Sequence, residues 1–84
     1  MDGIKLHFKT ISDSLNTIYM NDCKVEFLES EIEIHGTNEA QNTTFSILID
    51  VSEKKLYLTM TEFKTGTKIT SYEYAIKTWS IGGI

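Results

Sequence analysis

The chain has 84 residues, a formal net charge of −4, and eight cations that are all lysine. Without arginine there is no planar fork to read guanine or to grip phosphate bidentately, and the acidic balance repels a polyanion, so the composition argues against nucleic-acid binding. A hydrophobic content of 40% against 24% charged is a folding composition, and the length leaves room for one core, so residues 1–84 read as a single small globular domain.

In chain order, Ile4-Lys5-Leu6-His7-Phe8-Lys9 alternates apolar with polar residues, the period of a strand buried on one face. From Ile11 to Met20 two readings stand. Ile11, Leu15 and Ile18 recur at helical spacing behind Ser12 or Asp13 as a cap, which predicts a short helix near residues 12–20. Asn16, Thr17 and Tyr19 are poor helix formers and favour a strand that turns at Asn21-Asp22. Val25 and Phe27 restore the strand signal, as do Ile32 and Ile34 between Glu31, Glu33 and His35; Gly36 to Asn42 reads as a loop.

Phe45, Ile47, Ile49 and Val51 alternate, Ser52 to Lys55 interrupts, Leu56, Leu58 and Met60 alternate again, and Thr65-Gly66 marks another turn. Pairing around these turns sets Val51 beside Leu56, Ile49 beside Leu58 and Ile47 beside Met60. It then sets Phe63 beside Lys68, Thr59 beside Tyr72 and Tyr57 beside Tyr74. The expected fold is therefore mainly β (β-rich α+β): an antiparallel sheet of about five to six strands with a C-terminal three-stranded meander, plus either the short helix or a further strand over 12–20.

This register sorts residues by parity. Phe45, Ile47, Ile49, Val51, Leu56, Leu58, Met60, Ile69 and Ala75 fall on a core face. Leu48, Tyr57, Thr59, Thr61, Phe63, Thr70, Tyr72, Tyr74 and Ile76 fall on the opposite one, a Tyr/Thr face suited to a partner because tyrosine joins apolar area to a polar tip. A second surface is the acidic strip Glu26, Glu29, Glu31 and Glu33, where Glu31 and Glu33 project together opposite Ile32 and Ile34 and would attract a lysine- or arginine-rich protein.

Catalytic, cofactor and metal signatures are not found. His7, His35 and Cys23 are not in a paired ligand motif, serine never stands in a nucleophile-elbow context, and the closely spaced glycines are Gly82-Gly83. The Asn42-Thr43-Thr44 sequon is expected to be idle. The ending Trp79-Ser80-Ile81-Gly82-Gly83-Ile84 resembles the diglycine tail of ubiquitin-like modifiers in two residues only, and the chain lacks the long helix that family would imply. The longest aliphatic run, Ile47-Leu48-Ile49, is far short of the ~20 residues that cross a bilayer, and a lone Cys23 fits a reducing compartment, so the expected location is cytoplasmic, with no membrane contact.

The expected function is that of a non-enzymatic protein-interaction module, a small inhibitor or adaptor of the kind phages and mobile elements encode. It would bind a cellular protein of unknown identity through Tyr57, Phe63, Tyr72 and Tyr74 on the sheet face and Glu26, Glu31 and Glu33 on the acidic strip, with no cofactor. The alternative is a homo-oligomeric building block that buries the same Tyr/Thr face against its own copy.

Overall fold

The computed structural model describes residues 3–83. Six antiparallel strands, β1 (Gly3–Thr10), β2 (Leu15–Phe27), β3 (Glu31–Asn38), β4 (Thr43–Asp50), β5 (Lys55–Glu62) and β6 (Lys68–Gly83), each pair with the next, and β6 returns to β1 to close a barrel. Closure uses the glycines of the C-terminal segment as ordinary strand residues: Gly82 lies opposite Lys5, and Gly83 opposite Ile4. Ile84, which distinguishes this ending from a diglycine tail, lies outside the described residues.

The period-two pattern fills the interior from every strand. Ile4, Leu6 and Phe8, Met20, Ile32 and Ile34, Phe45, Ile47 and Ile49, Leu56 and Leu58, and Ile76 form one buried cluster, with Ile18, Met60, Tyr74, Trp79 and Ile81 packed against it. Full burial of a side chain of this kind contributes roughly 1.5–3 kcal/mol, so the interleaved row holds the barrel shut. Gly36 has a packing reason to lack a side chain. A Cβ there would stand 2.8 Å from Met20 Cβ and 3.0 Å from Cys23 Sγ.

The two long strands turn the corners. β2 pairs with β1 through Leu15–Asn21 and with β3 through Asn21–Phe27; β6 pairs with β5 through Lys68–Ala75 and with β1 through Ile76–Gly83. Each change of partner falls at a bulge, which bends a strand and increases its twist. The bulge in β2 spans Asn21 to Lys24, with Asp22 left-handed at φ 51°. Asn21-Asp22, expected to end a strand, thus bends one, because a residue type that tolerates positive φ serves a bulge as well as a turn.

No helix forms over residues 12–20. Thr10 to Ser14 is a tight turn in which Thr10 N donates to Ser14 O at 3.0 Å, Ser14 N donates to Thr10 Oγ1 at 3.1 Å, and Asp13 takes φ 67°. Ile11 and Leu15, two of the three residues at helical spacing, are 64% and 77% exposed, while Asn16, Ile18 and Met20 point inward at strand period. The segment expected as a loop from Gly36 continues β3 as far as Asn38. One turn of 3-10 helix, Glu39–Gln41, then leads to Asn42 at φ 51°.

The C-terminal meander forms, with two changes of register. Between β4 and β5, Asp50 pairs with Lys55, Ile49 with Leu56 and Ile47 with Leu58, two residues from the expected alignment. A slip of two preserves the faces, although Val51 moves from the core into the turn, 44% exposed. Between β5 and β6, Leu58 pairs with Tyr72 and Leu56 with Tyr74, one residue from the expected alignment. A slip of one exchanges the faces of β6. Ile76 is therefore core and Tyr74 packs on Phe8 with ring centroids 5.0 Å apart, while Ile69 and Ala75 face outward and are exposed.

Candidate protein-binding face

Strands β2 to β6 align their outward residues in cross-strand rows. One row reads Glu26, Glu33, Leu48, Tyr57, Glu73; the next reads Glu31, Asp50, Lys55, Ala75. The Tyr/Thr face and the acidic strip, distinct surfaces in sequence, therefore meet: pairing of β3 with β4 places Glu33 beside Leu48, and Leu48 lies beside Tyr57. Of the seven candidate residues, Glu26, Glu31, Glu33 and Tyr57 share this outer face. Tyr72 and Tyr74 have inward parity, with Tyr72 still 47% exposed, and Phe63 stands 40% exposed beyond the end of β5. The sheet face that was to unite the tyrosines is thus divided by the one-residue shift. Leu48, Asp50 and Glu73 join the acidic residues, a grouping that only the β3–β4 and β5–β6 registers reveal.

The electrostatics of the face are unbalanced. Glu26 lies directly opposite Glu33, and Glu31 opposite Asp50, and like charges in opposed positions destabilise a sheet. Asp50 is occupied locally: it accepts from Glu53 N at 2.9 Å and from Ser52 Oγ at 3.0 Å, and these bonds, the one from Glu53 first, hold its carboxyl below the usual range. Lys55 bridges Glu73 at 3.3 Å, and its pKa is raised chiefly by that contact. Among the described residues no cation forms a salt bridge with Glu26, Glu31 or Glu33. Three carboxylates are left facing solvent beside the half-buried Leu48 and Tyr57.

Comparison with protein-family models, curated proteins and solved structures gives no match to this chain.

The remaining candidate groups are dispersed. His7 lies on the outside of β1, its Nδ1 2.8 Å from Thr17 Oγ1, and His35 lies on the outside of β3 between Lys24 and Ser46. Cys23 sits half-buried in the β2 bulge, where burial pushes its thiol pKa up. Two of the cavities among the described residues are shallow indentations of the barrel. One, of about 150 Å³, lies over β1 and β6 between His7, Leu15 and Trp79; the other, of about 220 Å³, lies at the barrel mouth between Ile18, Asn38, Phe45 and Met60. No helix among the described residues is long and apolar enough to cross a membrane.

Proposed function

We propose that this protein is a non-enzymatic interaction module, an inhibitor or adaptor, that docks a lysine- or arginine-rich segment of a partner protein on the outer face of β2 to β5. The observation that carries this reading is the opposition of Glu26 and Glu33 across β2 and β3, neither of them in a salt bridge among the described residues, in the same row as Leu48 and Tyr57. A sheet that keeps like charges opposed forgoes stability, and a basic partner restores it. The carboxylates speed encounter and fix orientation, while Leu48 and Tyr57 supply the apolar area on which affinity rests.

The test is titration with a short peptide of alternating arginine and leucine, followed by amide chemical shifts. Shifts confined to β2 to β5, together with binding that weakens at least tenfold in Glu26→Gln/Glu33→Gln and falls with salt, are the expected result. Lys5→Gln/Lys9→Gln, on the opposite side of the barrel, is expected to bind as wild type. Equal binding by the glutamate variant, or shifts elsewhere, overturns the reading.

A further inference from the structure

The first half of β6 is hydrogen-bonded on one side only. Residues 68–75 pair with β5, while the pairing with β1 begins at Ile76 and is extended by one bond, Ile11 N to Ala75 O at 3.0 Å. Among the described residues no strand pairs with the other edge of residues 68–74. A strand residue sends its N–H and C=O to the same side, and successive residues alternate. The Ala75 carbonyl faces β1, and Ile76 N faces β5, where it donates to Lys54 O at 2.9 Å. The phase is therefore fixed: the peptide groups of Ser71 and Glu73 point out of the free edge, and those of Tyr72 and Tyr74 point to β5.

Natural proteins guard such edges with charge, proline or bulges. Here the protection stands at the ends. Lys68 and Glu73 bracket the segment and the bulge falls at Ile69, but Ile69-Thr70-Ser71-Tyr72 carries neither charge nor proline, with Ile69 53% and Tyr72 47% exposed.

We propose that this edge pairs antiparallel with the same edge of a second copy, about a twofold axis through Ser71. A twofold axis normal to the sheet keeps each residue on its own face, so residues can oppose only those of like parity. Centring on Ser71 places its outward peptide groups against their symmetry mates and sets Thr70 against Tyr72 on the inner face and Ile69 against Glu73 on the outer, the bulge at Ile69 ending the regular pairing before Lys68. No like charges meet, and the threonine–tyrosine pair is a favourable cross-strand neighbour. Centring on Tyr72 would demand the Ala75 carbonyl, already bonded to Ile11; centring on Thr70 would leave the Glu73 groups unpaired. The proposal keeps a second copy as partner but moves the contact from a sheet face to a strand edge, and it is independent of the acidic face.

Ser71→Pro is the discriminating variant, because its N–H points away from β5 and its loss removes no bond of the barrel. Sedimentation of the full chain over roughly 5 to 500 μM is expected to show a monomer–dimer equilibrium for wild type and at least a tenfold weaker one for Ser71→Pro. A second readout does not depend on how the proline variant folds. In a Cys23→Ala background, Ser71→Cys is expected to cross-link with a short bifunctional maleimide, since Cα atoms about 5.5 Å apart in a hydrogen-bonded pair lie within its reach, whereas Thr59→Cys, one strand further from the axis on each copy, is not. A wild type that stays monomeric throughout, a folded Ser71→Pro that dimerises as well as wild type, or equal cross-linking at both cysteines overturns the proposal.

Discussion

At the scale of single residues, the acidic row ties function to stability. Glu26 faces Glu33 across two strands, so neutralising one of them removes a repulsion and leaves every backbone bond in place. Glu26→Gln is expected to raise stability by about 0.2–1 kcal/mol, read as a higher urea midpoint at unchanged slope, while it weakens peptide binding. A variant that lost both stability and binding would mark Glu26 as a structural residue. Tyr74 gives a second residue-scale expectation. Burial, with the neighbouring Tyr72 adding to it, raises its pKa above 10.0. Because the unfolded chain then ionises first, the stability Tyr74 contributes is complete below pH 10.0 and declines as pH rises through its folded-state value. Urea midpoints measured from roughly pH 9 to 11 should fall less steeply for Tyr74→Phe than for wild type.

At the scale of elements, the strands were legible in sequence where alternation was strict and one-sided. β1, β4 and β5 carry runs of large apolar residues at alternate positions and admit one orientation. β2 was ambiguous because Ile11 and Leu15 imitate a helical stripe, although both face water. β6 runs in the opposite phase to the one its spacing predicts because Thr, Tyr, Ser and Ala tolerate either face, so its orientation is set by the turn before it and not by its own residues. There Glu62 N donates to Thr67 O at 2.8 Å and the bulge at Ile69 adds one residue, giving a shift that spacing alone does not record. For the same reason the outer row that joins Glu33 to Tyr57 was hidden: it depends on the register between β3 and β4.

Turns also bind elements together. Asn42, at φ 51°, donates from Nδ2 to Glu62 Oε1 at 3.0 Å, and its Oδ1 accepts from Lys64 N at 3.2 Å, linking the turn before β4 to the turn after β5. The amide of the Asn42-Thr43-Thr44 sequon is thus engaged within the fold. Asn42→Gly keeps the backbone geometry and loses these two bonds, whereas Asn42→Ala loses both the bonds and the left-handed tolerance. Thermal unfolding should rank wild type above the glycine variant and glycine above alanine, the alanine variant costing about 1–3 kcal/mol in all; a glycine variant no better than alanine would show that the bonds carry the whole effect.

At the scale of the molecule, closure decides stability more than chain order does. In a barrel whose strands each pair with their sequence neighbours, the contact between β1 and β6 is the one pairing made across the ends of the chain, and it sets Leu6 and Phe8 beside Ile81 and Trp79 on the inner face. Removing residues 79–84 takes away one partner of β1 and uncovers its apolar row, so the remaining sheet should lose cooperative unfolding and bind a hydrophobic dye. A permutant that joins the ends through a short glycine–serine linker and opens in the exposed turn Val51–Lys54 keeps every strand pair, because Ile4 and Gly83 are already opposite one another. It should unfold cooperatively with a circular dichroism spectrum like that of wild type. A permutant that fails to fold while the truncated chain folds would place the determinant of the fold in the β4–β5 turn and not in closure of the barrel.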